Sequence, residues 1–452
     1  PHICYGHPVV TLLYCGLVDI IYVVSPPRFN KYNGEWWHHL FTVGMTDSGH
    51  GYRMADTKLR DRATQLIYQR LLSKTYREKP DAAKTVDGLT FGCCEAGAAS
   101  LCGWRREQED RFGLALAGCS TAVIGVFDGH GGSDVAEICG SHIPSMVASA
   151  LSQPTPSLPR DALSGTFLAI DAALMSPPAE MPAVGAAAGA APGAAAVVVT
   201  SRTAAVVAAV ASFVTLLYCR STGKGTAVTA FAAVASAAGA ALAAVRQSPR
   251  PSSNADALKT TAAAVDATEV GATAICAVVN ASEGGASVCM ANAGDCRAVA
   301  SVRAGATAEA ISTDHKPTVR AEKRRILLAD SPLGSVDRAG RINGELDFSR
   351  AIGDLRFKRA ELPAEQQVVT AVPECCEVCL EAGGLLLLAC DGVWDVLSNE
   401  EAIQIVRRER ARDSAATTAA LCCRLLDDCL ARGERAKAGS DNMTCVLIEV
   451  RS

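Results

Sequence analysis

The sequence lacks a basic balance: 43 Lys and Arg stand against 47 Asp and Glu, for a formal net charge of −4. Proteins held to nucleic acid by counterion release need the opposite, so no nucleic-acid partner is expected. The basic runs that do occur, at Arg320–Arg325 and Arg407–Arg412, read as solvated helix faces. Paired C-x-x-C motifs are also missing, although the chain has 19 cysteines. Dispersed thiols with no His-rich companion segment argue against zinc, and "CCEVC" at 375–379 stands alone. They fit a reducing compartment, cytoplasmic or nuclear, with most thiols buried and inert. No basic n-region precedes the apolar start "VVTLLYCGLVDIIYVV" (9–24), which Asp19 interrupts, so a secretory signal is not expected.

With 49% apolar residues, the chain has enough material for a substantial core. It begins at Pro1, which reads as a fragment, a processed product or an imperfectly assembled reading frame. Residues 1–85 form an N-terminal extension of unassigned role. Its histidines His38, His39 and His50 have no carboxylate or cysteine companions. The apolar spacing of Leu59, Leu66, Ile67, Leu71 and Leu72 predicts an amphipathic helix over 57–78. From residue 86 to 452 the texture is short strands, turns and helices, expected to form one domain and a monomer.

That domain is interrupted at 176–269 by low-complexity sequence dominated by Ala, Val, Gly, Ser and Thr, with little to pack. Two windows in it, 203–219 and 225–245, carry no charge, and the second is long enough to span a bilayer. Ala and Gly are weakly apolar, so a loose helical or disordered insertion is the expectation and a membrane tether the lesser alternative. "VTLLYC" occurs at both 10–15 and 214–219 without a repeat-protein period.

The informative residues are acidic. Glu109 and Asp110 lie in "GWRREQEDRFG", Asp128 follows "AVIGVF", and Asp295 lies in "VCMANAGDCRAVA". Asp391 follows "GLLLLAC", and Asp441 lies in "GSDNMTCVLIEV". Any one of these reads as a turn residue or cap. Together, several sit beside strand-like apolar runs, where a carboxylate is costly to desolvate without compensation. Nearby cations are few apart from Arg105 and Arg297. If the strand ends converge, repulsion would raise the carboxyl pKa values or demand cations. Oxygen ligands suit Mg²⁺ or Mn²⁺, and two such ions form a common hydrolytic centre for phosphate esters.

Eight blocks occur in order: "GWRREQED", "VFDGHGG", "GATAICAVV…ANAGDCRAV", "TDHKP…EKRRI", "FSRAIGD", "AVPE", "LLLLACDGVWDVLS" and "GSDNMTCVLI". In this the sequence closely resembles the metal-dependent serine/threonine protein phosphatases of the PPM (type 2C) family, over about 88–450 apart from the insertion. The resemblance implies an α+β fold, a four-layer α/β/β/α sandwich of two antiparallel sheets flanked by helices. It implies two Mg²⁺ or Mn²⁺ ions bridged by Asp128, one also served by Glu109 and the Gly129 carbonyl, the other by Asp391 and Asp441. Asp110 would act through coordinated waters, and Asp295 with Asp391 and Asp395 would match a weaker third ion. Arg105 would hold the substrate phosphate and His130 would protonate the leaving serine or threonine oxygen of a phosphoprotein, after attack by a dimetal-activated water. No cysteine nucleophile is required. His315 reads as structural, and Arg350 as the partner of a buried carboxylate, Asp354 being the candidate. The stretch 327–346 is looser than the family's version. A phosphatase-like binding module without catalysis is the alternative, and the intact Glu109, Asp128, Asp391 and Asp441 argue against it.

Overall fold

The computed structural model describes residues 75–176, 254–329, 332–433 and 439–451, together with the backbone of five short strands nearer the start. Of these, β1 (Val10–Leu12), β2 (Ile21–Val24) and β5 (Leu40–Val43) form an antiparallel sheet, and β3 (Arg28–Phe29) pairs with β4 (Trp36–Trp37). The chain separates into two units, 1–178 with 258–452, and 179–257. The apolar windows at 203–219 and 225–245, His38, His39 and His50 all lie outside the described residues. No helix among the described residues is long and apolar enough to cross a membrane.

Two six-stranded sheets make the body of the first unit. One has the order β13 (Glu309–Ala310), β12 (Arg297–Ser301), β16 (Leu385–Ala389), β17 (Met443–Val450), β7 (Cys94–Arg105) and β6 (Tyr76–Phe91). The other runs β15 (Glu374–Glu381), β11 (Gly285–Ala293), β10 (Gly271–Ser282), β9 (Thr121–His130) and β8 (Arg111–Leu116), with β14 (Ile352–Gly353) on β10. Every pairing within the two sheets is antiparallel.

Side-chain alternation sorts each strand between two cores. In β9, Ala122, Ile124 and Val126 join Ile275, Ala277, Ala96, Ala98, Leu386, Leu388, Val446 and Ile448 between the sheets. Val123 and Phe127 face outward, against α1 (Asp134–Leu151) and α2 (Pro159–Met175). On the opposite outer face, Leu387, Leu447 and Cys445 pack against α6 (Asn399–Arg412) and α7 (Thr418–Arg432). The result is the expected four-layer α+β sandwich. Helix α6 starts from a capping box, in which Ser398 and Glu401 satisfy each other's backbone N–H groups.

Three sequence expectations change. The helix expected over 57–78 lies mostly outside the described residues, but 76–78 begin β6, an edge strand on β7. Its exposed Glu78, Lys79 and Asp87 gain their strand conformation from pairing rather than from local pattern. The sandwich thus starts ten residues before residue 86. The last part of the expected insertion is also core: α3 (Asn254–Ala262) buries Leu258 and Ala262, and Ala267 follows, all in the helical layer beside β9 and β10.

A fourth cluster packs Ile326 of α4 (Arg320–Leu328) against Ile342, Phe348, Ala351, Phe357, Val368 and Val369. Glu322, on the buried face of α4, ties it together. It accepts from Arg350 Nη2 at 2.6 Å, from Arg325 Nη2 at 2.7 Å and from Ser349 Oγ at 2.7 Å. Arg350 therefore pairs with Glu322 rather than with Asp354.

Burial by itself would raise the Glu322 pKa, but the hydrogen bonds from Arg350, Ser349 and Arg325 outweigh it and hold it at about 2, against an ordinary 4.5. A depressed carboxyl contributes stability above its unfolded pKa and loses it as pH falls through the folded one. Glu322→Gln is expected to lower stability at pH 7 by about 3 kcal/mol, as for a buried pair with one partner removed. In urea unfolding, the gap between wild type and variant should narrow as pH falls from 4.5 toward 2. A gap independent of pH would contradict the assignment.

Candidate metal centre and active site

The registers bring the acidic positions to one end of the sandwich. Arg111 of β8 faces Phe127 of β9, so Asp110 and Asp128 stand as neighbours just beyond. In the other sheet Leu101 faces Met443 and Cys445 faces Ala389, which aligns the end of β7, the start of β17 and the end of β16. Arg105, Asp441 and Asp391 lie at those three ends. Alternation then decides direction: 124 and 126 face between the sheets, so 128 does too, and 386 and 388 place Cys390 on the same side.

The donor atoms of Asp110, Asp128 and Cys390 lie within 4.8 Å of one another. Asp110 is almost fully buried, and among the described residues its Oδ2 has no hydrogen-bond partner. Burial, followed by the Asp441 charge, pushes the Asp110 carboxyl up to about 7, with Asp391 adding to the rise. Glu109 is raised by burial and by Asp441, partly offset by Arg105 and His130. The Cys390 thiol is driven well above its ordinary value by burial and then by Asp110 and Asp128. It stays a neutral S–H, leaving hard oxygens as the ligands on offer. This donor set fits a small divalent ion of the Mg²⁺ or Mn²⁺ type, which would supply the partner that Asp110 Oδ2 lacks.

Other groups hold the rim. Arg105 Nη2 donates to Asp441 Oδ2 at 2.7 Å, and its guanidinium lies 5.7 Å from the Tyr76 ring centre. Asn442 staples the loop before β8: its Oδ1 accepts from the Glu109 N–H at 3.0 Å, and its Nδ2 donates to the Cys102 and Glu107 carbonyls, each at 3.0 Å. Gly129 allows that loop to approach β9, because a Cβ there would sit 2.4 Å from the Glu109 carbonyl oxygen. Gly131 and Gly132, at φ +71° and +145°, turn the chain away into α1.

Asp295 is buried and engages Lys316 Nζ at 2.5 Å. Asp395 closes α5 (Asp391–Trp394), its N–H on the Asp391 carbonyl at 2.7 Å. His315 is buried, its Nδ1 3.0 Å from the Gly294 carbonyl, as a structural residue would be. His130 Nε2 meets both oxygens of Asp354, at 2.8 and 2.9 Å. Burial lowers the imidazole pKa, but the Asp354 charge wins and the net shift is upward. Cys-x5-Arg spacing does occur, at Cys429–Arg435 and Cys445–Arg451. Yet Cys429 is buried on α7 and Cys445 on β17, so neither heads an anion-cradling loop.

Glu109, Asp110, Asp128, Asp391 and Asp441 are legible in the sequence, whereas Asn442, Cys390, Lys316 and the role of Asp354 are not. Asn442 and Cys390 each adjoin a named aspartate, which was the available signal. Asp354 carried none, because its partner lies 224 residues away.

The family profile described as protein phosphatase 2C matches residues 95–230 and 232–438. The chain belongs to the protein phosphatase 2C family. It is 43% identical over 165 residues to a probable protein phosphatase 2C of Oryza sativa subsp. japonica, covering 36% of this chain and 43% of the relative. It is 44% identical over 163 residues to a protein phosphatase 2C homolog of Hypocrea jecorina, covering 35% of each. These alignments span less than half of the relatives' own length. In fold, the chain is similar to a phosphatase of Toxoplasma gondii, with a TM-score of 0.52 at 18% identity over 82% of this chain and 96% of that one.

Gly129→Ala is expected to press its methyl on the Glu109 carbonyl, cost about 1–3 kcal/mol in thermal unfolding and weaken Mn²⁺ binding in calorimetry. Unchanged melting and Mn²⁺ affinity would contradict this packing.

Proposed function

We propose that this chain is a Mg²⁺- or Mn²⁺-dependent phosphatase acting on phosphoserine and phosphothreonine in proteins. The observation that carries the reading is the convergence of Asp110 and Asp128 between the sheets, with one buried Asp110 oxygen that has no hydrogen-bond partner among the described residues. Membership of the protein phosphatase 2C family supports the same reaction class.

Asp128 would bridge two ions, with Glu109 and the Gly129 carbonyl on one, Asp391 and Asp441 on the other, and Asp110 alongside. Such ions supply Lewis-acid charge to phosphoryl oxygens and lower the pKa of water. The remaining work falls to side chains. Arg105 has a planar guanidinium able to take two phosphate oxygens at once, and its present bond to Asp441 keeps it at the acidic rim. Departure of a serine or threonine alkoxide is unfavourable without a proton, and His130, beside Asp128 at the end of β9, would donate one. Asp295 and Asp395 are the residues for a third ion, and Lys316 would have to release Asp295 to admit it.

The test is hydrolysis of a phosphothreonine peptide by the full chain with Mn²⁺. Activity is expected only with Mn²⁺ or Mg²⁺, and Asp128→Ala should remove it together with the calorimetric Mn²⁺ signal. Arg105→Ala should lower kcat/KM about 100-fold, as expected for loss of one charge-stabilising donor. Full activity in Asp128→Ala, or none in wild type with either ion, would overturn the reading.

A further inference from the structure

We infer that Asp354 is a positioning residue for His130, fixing which ring nitrogen faces the reacting phosphate ester. This rests on the proposal that His130 is the proton donor, and it adds a residue and an atom to it.

Four observations converge. Both Asp354 carboxylate oxygens lie at hydrogen-bond distance from one atom, His130 Nε2, at 2.9 and 2.8 Å. Asp354 is almost fully buried, and among the described residues His130 is its carboxylate's partner. A buried carboxylate with a single imidazole partner is organised around that imidazole. Next, Asp354 adopts φ 51° and ψ 45°, a left-handed conformation that costs a non-glycine residue about 1–2 kcal/mol. A turn needing only that backbone shape is met more cheaply by glycine, so the carboxylate itself is what the position requires.

The surroundings hold the pair in one place. Gly271 faces His130 across β9 and β10, and a Cβ there would lie 2.5 Å from Asp354 Oδ2 and 2.6 Å from His130 Nε2. The missing side chain is the space the pair occupies. The Asp354 N–H donates to the Val270 carbonyl at 3.0 Å. Asp171 accepts from the Gly353 N–H at 2.9 Å and from Lys358 Nζ at 2.5 Å, which anchors the turn on both sides of Asp354. Phe348 covers the imidazole, its ring centre 4.7 Å away.

A carboxylate accepts, so Nε2 carries its hydrogen toward Asp354 and is taken out of the reaction. Nδ1 is then the nitrogen that gives its proton. As a water oxygen bonds to phosphorus and the ester phosphorus–oxygen bond breaks, that bond's electron pair stays on the serine or threonine oxygen, which takes the Nδ1 proton of the imidazolium. The imidazole is left neutral with hydrogen on Nε2 alone, still bonded to Asp354. Without Asp354 the ring could rotate or change tautomer and present the wrong nitrogen.

The test compares two substrates with Mn²⁺: a phosphothreonine peptide, whose leaving group needs a proton, and p-nitrophenyl phosphate, whose leaving group does not. Asp354→Asn is expected to lower kcat on the peptide by about 100-fold with KM nearly unchanged, and to alter the aryl ester by less than about threefold. His130→Gln should show the same split, and the double variant should be no worse than His130→Gln. Gly271→Ala, which crowds the pair, should fall in the same direction. Equal loss on both substrates, an unchanged peptide rate, or losses that add in the double variant would overturn the inference. If His130→Gln shows no split, the proton-donor reading fails instead. Asp354 is then judged by nitrogen NMR of the His130 ring in the full chain. Hydrogen fixed on Nε2 in wild type and released in Asp354→Asn supports the positioning role, and an unchanged ring spectrum ends it.

Discussion

The cost of placing carboxylates between two apolar sheets governs the rest of this structure. An isolated buried carboxylate loses several kcal/mol of hydration, comparable to a large fraction of a domain's stability. The strand registers leave no freedom to avoid it, because alternation that sends Ile124 and Val126 into the inter-sheet core sends Asp128 the same way. The fold compensates unevenly. Asp441 takes Arg105, Asp295 takes Lys316, and Asp110 keeps one oxygen with no partner among the described residues. That residual deficit is an electrostatic demand for a cation, and it is why a metal centre explains the end of the sandwich better than a cap or turn does.

The same economy explains the scaffold around it. Asn442 and Gly129 contribute no charge, yet they set the distance between the loop at 107–109 and β9. On the other flank, α4 and the segment from Ile342 to Val369 form a separate small core tied by Glu322. That core delivers Phe348 and Asp354 to His130. The partners of the imidazole thus come from a different part of the chain than the braces of the acidic end, while His130 itself shares β9 with Asp128 and feels the Glu109 charge.

Much of this was legible in the sequence where local pattern and local structure coincide. "AVIGVFDGHGG" reads as a buried strand ending in a carboxylate and turning on glycines, and β9 does that. The four layers were expected from the family resemblance rather than from local pattern, and the two antiparallel sheets with their flanking helices bear them out. What was not legible depends on partners distant in sequence. The segment 76–91 has no strand pattern of its own and becomes one by pairing with β7. The alanine-rich stretch looked unable to pack, yet Leu258, Ala262 and Ala267 find a surface ready to take small side chains. Arg350 and Asp354 stand four residues apart and invite pairing, but a left-handed turn at Asp354 points its carboxylate to His130, and Glu322 claims the arginine.

The unmet charge between the sheets is what the proposed pair of metal ions would answer. Anomalous diffraction at the manganese edge, from crystals of the full chain grown with Mn²⁺, tests it most directly. Two strong peaks about 3.5–4 Å apart are expected beside the Asp128 carboxylate. Strong peaks elsewhere with none at Asp128, or no ordered manganese at this end of the sandwich, would contradict it.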